Sequence, residues 1–266
     1  MSGLDITIAI AMHKQYVRTE DTMYLPVHVG ADLHPEVLTD IAGDNTGDNI
    51  SRLNPYFSEL TAMYWLWKNN DSDYKGIVHY RRYFASPSLR KRLSRNRFDR
   101  ILTRQELEPL LAGNNVVLPS KRRYFIETIY SHYDHTLHAD QLHQTRNVLK
   151  DMAPEYVGAW DTLMRKRSAH IFNMMIMDKA DFNAYCEWLF PILFELTRRI
   201  DPSSYSAFHA RYPGRISEML LNVWINTNHI PYKTVPTVYT EPVNWWTKGT
   251  GFLKAKFFKK KYDASF

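Results

Sequence analysis

Short apolar runs alternate with an amphipathic helical pattern in the first 80 residues, and this alternation limits the fold more than any other feature. Residues 5–12 and 74–79 are apolar and of a length typical of buried strands. Between them, Asn54 and Pro55 are typical of a helix start, and apolar side chains follow at helical spacing as far as Trp67. A strand, a helix and a second strand in this order predict an α/β fold, with a mainly parallel central sheet flanked by helices.

The rest of the chain continues the alternation. Further strands are predicted at residues 24–30, 116–119, 170–178 and 232–240, and further helices at residues 138–152, 179–200 and 215–225, with Pro191 kinking the long helix. No linker divides the chain. Residues 1–243 are therefore predicted to form one domain, and residues 244–266 a tail.

Composition excludes several classes of protein. The sequence has a single cysteine, Cys186, which excludes internal disulfides and cysteine-based zinc sites. It has no run of eighteen apolar residues, so no membrane-spanning helix is expected. The first residues lack the pattern of a secretory signal. Together these features predict a cytoplasmic protein.

Positive charge is concentrated in two segments of a chain whose net charge is +6. Residues 89–104 hold seven basic residues and one acidic residue, and residues 244–266 hold six lysines and one aspartate. In the tail, aromatic residues alternate with the lysines, which is typical of a membrane interface. We therefore expect the tail to bind an anionic membrane surface; a nucleic-acid contact and a solvated tail are the alternatives.

One motif stands out, because residues 79–84 have the sequence HYRRYF and directly follow a predicted buried strand. Two arginines and a histidine are energetically costly at such a position unless an anion accompanies them. Ligands bind at strand ends in open α/β sheets, so His79, Arg81 and Arg82 are candidates for holding a phosphate or diphosphate. His13 and Lys14, at the end of the first strand, are candidates for the same ligand. The alternative is a pair of arginines that bridges to Asp or Glu on a neighbouring element.

Asp71-Ser72-Asp73 matches the D-x-D pattern of many metal–nucleotide sites. Such a pair is expected just after a buried strand, whereas this one precedes a strand. Turn formation is therefore favoured over metal binding. No metal site is predicted, although a divalent ion could also neutralise a diphosphate.

Two polar segments could bind a sugar or move protons. Asp48, Asn49 and Asn54 are candidate contacts for ribose or sugar hydroxyls, and a solvated loop is the alternative. Residues 131–140 contain three histidines and two aspartates, and the candidates there are His132, Asp134, His135 and Asp140. The spacing of zinc motifs is absent, so a sugar-binding or acid/base loop is favoured over a metal site, with a plain surface loop as the alternative.

Arg215 and Glu218 begin the last apolar helix. A glutamate in the first turn of a helix is favoured by the helix dipole alone. Near a sheet edge, it could also accept a proton from an acceptor hydroxyl. Both interpretations stay open from the sequence.

Many of these residues resemble a bacterial family of capsule, exopolysaccharide and O-antigen gene clusters, DUF4422. The matching stretches are His13-Lys14 through Gly30-Ala31, Gly47-Asp48-Asn49-Ile50-Ser51, Asn54, Glu59-Leu60-Thr61, Tyr64-Trp65, Trp67-Lys68-Asn69, Gly76, the HYRRYF motif, Asn173-Met174, Tyr185-Cys186, Trp188-Leu189-Phe190-Pro191 and Ser217-Glu218-Met219-Leu220-Leu221. The resemblance implies a single-domain glycosyltransferase with a GT-A-like fold. It further implies transfer of galactofuranose from UDP-galactofuranose onto a lipid-linked glycan.

The resulting hypothesis is an inverting transfer in which UDP leaves. Arg81 and Arg82 stabilise the diphosphate, His79 helps to orient it, and Glu218 is the base, with Asp134 or Asp140 as substitutes. No cofactor is required, and the partners are the UDP-sugar donor, a polyprenyl-diphosphate-linked acceptor and the inner face of the plasma membrane. The alternatives are another UDP-hexose such as UDP-galactopyranose, a non-catalytic nucleotide- or glycan-binding module, and a nucleic-acid binder.

Overall fold

A computed structural model describes residues 4–241, which form eleven strands and nine α-helices. The strands are β1 (Ile6–Met12), β2 (Tyr24–His28), β3 (Ala42–Gly43), β4 (Tyr74–His79), β5 (Arg82–Phe84), β6 (Val116–Pro119), β7 (Arg122–Arg123), β8 (Ser168–Ala169), β9 (Met175–Asp178), β10 (Tyr232–Val235) and β11 (Thr237–Tyr239). The helices are α1 (Asn54–Phe57), α2 (Leu60–Asn69), α3 (Leu89–Arg92), α4 (Arg104–Leu111), α5 (Ile129–Thr136), α6 (Ala139–Met152), α7 (Val157–Arg165), α8 (Lys179–Arg199) and α9 (Tyr212–Thr227). No helix among these residues has the length and hydropathy needed to cross a bilayer.

The described residues group into two compact units. Unit 1 comprises residues 4–120, 172–187 and 230–241, and unit 2 comprises residues 121–171 and 188–229. The boundary of the predicted domain at residue 243 stays a prediction, and the predicted membrane-binding tail lies outside the described residues.

Unit 1 contains the central sheet, in the order β10-β6-β9-β4-β1-β2-β3. β1 pairs in parallel with β2 and β4, and β9 pairs antiparallel with β4 and β6. β5 continues from β4 through a two-residue turn and pairs with β11. The predicted α/β fold with a mainly parallel sheet is confirmed; β9 runs antiparallel to its neighbours, and β5 also pairs antiparallel with β4 and β11.

The nearly continuous apolar sequence of β1 explains its place inside the sheet. Ile8, Ile10 and Met12 are fully buried in a core that also contains Val78 and Ile176 from the two strands on its β4 side. A strand buried on both faces is typical of parallel sheets. Unit 2 is built from α5, α6, α7, α9, the second part of α8, and the short β7–β8 pair.

Three boundaries differ from the sequence-based expectations. The strand expected at residues 170–178 is limited to Met175–Asp178, because Phe172 and Asn173 adopt positive φ angles of 84° and 51° and break the extended backbone. Asn54 is the first residue of α1 and not an N-cap, and Ser58, with φ of 53°, separates α1 from α2. The last expected strand is divided into β10 and β11 at Pro236, which has no N–H to donate.

Gly76 is expected to be intolerant of any side chain, because β4 and β9 approach closely there. A Cβ atom at this position would lie 2.7 Å from the carbonyl oxygen of Met175. We expect Gly76→Ala to lower the free energy of unfolding by about 1–3 kcal/mol, measured by urea denaturation. The matched control is Gly158→Ala, where nothing lies within 4 Å, and which should be neutral or stabilising by up to about 1 kcal/mol. Equal effects of the two substitutions would contradict the close approach.

Candidate functional site

The parallel pairing of β1 with β4 brings five basic side chains to one edge of the sheet. Ala11 near the end of β1 pairs with His79 at the end of β4, so the residues after both strands lie together. We call these side chains the cationic cluster: His13, Lys14, His79, Arg81 and Arg82. The sequence-based expectation that they converge is consistent with this register.

Tyr80 lies at the centre of the cationic cluster. The His13 ring meets the Tyr80 ring edge-on, with 5.1 Å between centroids. The Lys14 Nζ atom and the Arg81 guanidinium carbon lie 5.5 and 5.2 Å from the same ring centroid. Cation–π contacts of this kind hold basic side chains together without consuming their hydrogen-bond donors.

Arg82 is a cation that has no anionic partner among residues 4–241. Its guanidinium carbon lies 3.6 Å from the Phe172 ring centroid and 4.9 Å from that of Tyr239. In the described part of the chain, its buried Nε atom has no hydrogen-bond partner and its side chain forms no ion pair. An arginine held in place by rings, with donors unused, is suited to binding an external anion.

Arg81 has a different environment. Its Nη1 atom lies 3.3 Å from the Glu241 carboxylate, and its side chain is 53% exposed. The alternative of a structural ion pair, which the sequence left open for both arginines, therefore applies to Arg81 and not to Arg82. An exposed pair of this kind contributes little stability, so Arg81 can exchange Glu241 for a ligand.

His79 supports the bend that positions Phe172. Its Nε2 atom lies 2.5 Å from the Phe172 carbonyl oxygen, which requires the proton on Nε2 because a carbonyl can only accept. Asn173, the next residue, donates from Nδ2 to the Glu59 carboxylate at 2.7 Å. These two bonds hold Phe172 and Asn173 in their positive-φ conformation and so place the Phe172 ring against Arg82.

The polar loop is folded by its own side chains. Asp48 accepts a hydrogen bond from the Tyr64 hydroxyl at 3.1 Å, and Asn49 bonds to the backbone of Gly47 and Ser51. Asn54 donates to the Ser58 carbonyl oxygen at 2.9 Å. These candidate residues thus make their contacts within the loop and the adjoining helices.

Asp44 is a buried carboxylate that the sequence analysis did not single out. It accepts hydrogen bonds from the backbone N–H groups of Gly30 and Ala31 at 2.9 and 3.1 Å, and from the Ser51 hydroxyl at 2.5 Å. Asp44 therefore braces the segment that follows β2. Its position in a polar loop gave no signal that it would be buried.

The D-x-D segment lies in the connection between α2 and β4, where the Ser72 N–H donates to the Asn70 side-chain oxygen at 3.1 Å. Asp71 is 90% exposed and pairs with the Lys179 Nζ atom at 2.5 Å, and the hydrogen bond from Lys179 lowers the pKa of Asp71. Asp73 accepts a hydrogen bond from the Asp5 N–H. Among the described residues, no group of three or more His, Cys, Asp or Glu side chains is arranged to hold a metal ion.

Unit 2 brings two of the predicted histidines onto one buried carboxylate. The Nδ1 atoms of His132 and His135 lie 2.9 and 2.7 Å from the two oxygens of Glu127. Burial lowers the pKa of His132 even though Glu127 opposes this effect. The hydrogen bonds from His135 and His132 hold the pKa of Glu127 below its usual value, although its burial acts in the opposite direction. Because an ionised carboxylate only accepts, both rings carry their proton on Nδ1 and turn Nε2 away from Glu127.

Glu218 and Arg215 lie beside the aromatic residues of unit 2. Burial raises the pKa of Tyr124 to about 12, and the nearby Glu218 contributes in the same direction. The Tyr124 ring centroid is 4.4 Å from that of His132. The Arg215 guanidinium carbon lies 4.1 Å from the Phe208 ring centroid. The predicted residues Glu218, Arg215, His132 and His135 therefore belong to one unit.

Asp134 and Asp140 have different surroundings. Both are exposed, Asp134 in the last turn of α5 and Asp140 in the first turn of α6. Neither forms a hydrogen bond or ion pair with another residue in the described ranges. The aspartates of the histidine-rich stretch therefore lie at the surface, whereas Glu127, which precedes that stretch, is the buried carboxylate.

Replacing Glu127 by glutamine is expected to lower the pKa of His132 further, because the hydrogen bond that His132 donates to the carboxylate is what raises it. The folded-state pKa values of both Glu127 and His132 lie below their usual values, so both groups make the protein less stable as the pH falls. A titration of imidazole signals by ¹H–¹⁵N correlation NMR measures the change. An unchanged or higher His132 pKa in the variant would contradict the arrangement.

Comparisons with known proteins agree with this fold. The family model described as "Domain of unknown function (DUF4422)" matches residues 7–229. A search of curated proteins gives no significant match. The apo structure of WbbM, a bifunctional glycosyltransferase, matches with a TM-score of 0.82 and 28% sequence identity, over 90% of this chain and 46% of that one. The described residues thus have a glycosyltransferase fold, and the chain spans about half the length of the solved protein that it matches.

Proposed function

The chain belongs to the family described as domain of unknown function DUF4422, and on that premise we propose that it is a glycosyltransferase. It moves galactofuranose from UDP-galactofuranose onto a lipid-linked glycan in capsule, exopolysaccharide or O-antigen synthesis, with inversion at the anomeric carbon. The galactofuranose donor rests on the family resemblance of the sequence. The likeness to a bifunctional glycosyltransferase supports the reaction class.

The environment of Arg82 is the observation that carries the proposal. A half-buried guanidinium between two aromatic rings, with no carboxylate beside it among the described residues, matches the need of a diphosphate for fixed positive charge. It lies at the end of a buried strand, where ligands of open α/β sheets bind.

The reaction is a displacement at the anomeric carbon that protein side chains assist. The acceptor hydroxyl attacks the anomeric carbon, the bond from that carbon to the diphosphate oxygen breaks, and UDP leaves with the electron pair. Arg82 and Arg81 stabilise the negative charge that develops on the diphosphate. His79 acts on Arg82 through Phe172 and is a positioning residue.

Glu218 is the proposed base that takes the proton of the acceptor hydroxyl. A carboxylate within hydrogen-bond reach of that hydroxyl contributes about a hundredfold to ten-thousandfold to the rate. Asp134 and Asp140 are the substitutes, and their exposure makes them less suited to be held in one geometry. His135, oriented by Glu127, is a further acid/base group of unit 2.

The setting of the reaction is the inner face of the plasma membrane. The acceptor is attached to a polyprenyl diphosphate, and the lysine-rich, aromatic residues 244–266 hold the enzyme on the anionic lipid surface. The diphosphate is neutralised by side-chain cations, and no divalent metal is required.

A screen of UDP-sugars tests the proposal. The protein is incubated with UDP-galactofuranose, UDP-galactopyranose or UDP-glucose and a lipid-linked acceptor, with and without EDTA, and released UDP is measured. We expect turnover with UDP-galactofuranose that survives EDTA. Turnover with another UDP-hexose alone would show that the proposed donor is wrong. Loss of activity in EDTA that manganese restores would overturn the metal-free mechanism. UDP binding without turnover of any UDP-sugar would indicate a non-catalytic module.

A further inference from the structure

Two large apolar side chains are exposed at the tip of a turn in unit 2. Residues 124–127 form the turn, closed by a hydrogen bond from the Glu127 N–H to the Tyr124 carbonyl oxygen at 3.3 Å. Phe125 is 83% exposed and Ile126 is 62% exposed. Turn tips favour Gly, Asn, Asp, Ser and Pro, so an adjacent pair of exposed apolar residues there indicates a contact with another phase or molecule.

The base of the turn is held firmly. The Tyr124 N–H donates to the Arg167 carbonyl oxygen at 2.7 Å, and the Ile129 N–H donates to the Lys166 carbonyl oxygen at 2.8 Å. Glu127 is fixed by the two histidines that bind it. The turn is thus anchored on both sides, at Tyr124 and at Glu127.

Basic residues lie beside the turn in two segments of the chain. Arg122 and Arg123 form β7, which leads into the turn, and residues 165–167 directly precede β8, which pairs antiparallel with β7. This basic collar consists of Lys121, Arg122, Arg123, Arg165, Lys166 and Arg167, and all six are exposed. Within the described residues, Arg122, Arg123, Lys166 and Arg167 form no ion pair. The positive charge of these four residues is thus available to an anionic surface.

We propose that this turn inserts Phe125 and Ile126 into an anionic lipid bilayer while the basic collar binds the headgroup phosphates. Apolar residues at the tip, with cations directly before them in the chain, match the order of layers at a membrane surface: hydrocarbon first, phosphate next. Charge complementarity favours a bilayer over a second copy of this chain, because the collar would repel its own kind. The inference rests on the membrane setting of the proposed function and adds a contact separate from residues 244–266.

The contact positions unit 2 for its proposed chemistry. Tyr124 and Glu127, the two ends of the turn, both contact His132. A turn that enters the bilayer therefore brings Glu127 and His132 close to the surface where a lipid-linked acceptor is anchored.

Vesicle binding of the full chain is the first test. Phe125→Ser/Ile126→Ser is expected to bind phosphatidylglycerol-containing vesicles at least tenfold more weakly than the wild type, in a sedimentation assay. Each collar arginine changed to glutamine should weaken binding about fivefold. The control Val17→Ser removes an exposed apolar side chain of unit 1 and should leave vesicle binding unchanged. UDP affinity of the double variant should equal that of the wild type, which shows that the fold is intact.

A fluorescent label gives the second test. The sole cysteine, Cys186, is fully buried, so a cysteine introduced as Ile126→Cys can be labelled selectively with a polarity-sensitive dye. We expect a blue shift of its emission when anionic vesicles are added, and none when the same dye is placed at Met152→Cys, an exposed position at the end of α6.

Three outcomes would overturn the proposal. Wild-type-like binding of the double variant, combined with loss of binding when the six tail lysines are changed to glutamine, would leave the tail as the membrane contact. A dye shift that depends on protein concentration without vesicles would indicate a second copy of the chain. No vesicle binding by the wild type would exclude both membrane contacts, while UDP turnover would still report on the proposed transferase activity by itself.

Discussion

Alanine in place of Arg82 is expected to weaken UDP binding about ten- to hundredfold, because charge-assisted hydrogen bonds to a diphosphate are lost and no neighbouring cation is held in the same place. Isothermal titration calorimetry with UDP measures the change. Arg82→Lys should recover only part of the affinity, since an ammonium keeps the charge but not the planar contact with Phe172 and Tyr239.

Two matched variants make this result specific to Arg82. Arg81→Ala should weaken UDP binding less, because Arg81 is already partly neutralised by Glu241. Arg18→Ala removes another arginine of unit 1, one paired with Asp40 at the surface, and should leave UDP affinity unchanged. If the UDP affinity of Arg82→Ala is within twofold of that of the wild type, Arg82 has no role in donor binding.

Glutamine in place of Glu218 is expected to lower kcat by about a hundredfold to ten-thousandfold while leaving UDP affinity unchanged. The amide keeps the size of the side chain but cannot accept the hydroxyl proton as a base. The split between turnover and binding is decisive, because a change that disturbed the fold would reduce both. Initial rates with saturating donor give kcat, and calorimetry on the same preparation gives the UDP affinity.

The control for Glu218 is Glu155→Gln, an exposed glutamate of unit 2 whose change should affect neither quantity. Near-normal turnover of Glu218→Gln would transfer the role to another group. Asp134→Asn, Asp140→Asn and His135→Gln would then identify it. Loss of turnover in only one of these three variants would assign the base to that residue.

Some of the site follows from the sequence alone, and physical reasons explain why. β1 and β4 are short apolar runs separated by a helical segment, so parallel pairing and convergence of their C-terminal residues could be expected. That logic placed His13, Lys14 and the two arginines near one another. It depends only on local periodicity and on the handedness of strand connections.

The different environments of Arg81 and Arg82 could not be predicted from the sequence. The partner of Arg81, Glu241, is distant in the sequence, and the rings around Arg82 come from Phe172 and Tyr239 on separate elements. Phe172 faces Arg82 only because it adopts a positive φ angle, which non-glycine residues rarely do and which no local pattern announces.

Glu127 was missed for a related reason. The carboxylates predicted from the histidine-rich stretch, Asp134 and Asp140, lie at the surface. The buried carboxylate, Glu127, comes from the turn just before that stretch. Burial of a single acidic side chain depends on two histidine partners that are arranged by α5. Composition within a ten-residue window does not contain that information.

The central claim is that the cationic cluster holds the diphosphate of a UDP-sugar. Its most direct test is a calorimetric comparison of UDP with uridine on the wild-type protein at one ionic strength. We expect UDP to bind at least about tenfold more tightly than uridine, because the two arginines of the cluster contact the diphosphate. Equal affinities for the two ligands, or no binding of UDP, would contradict it.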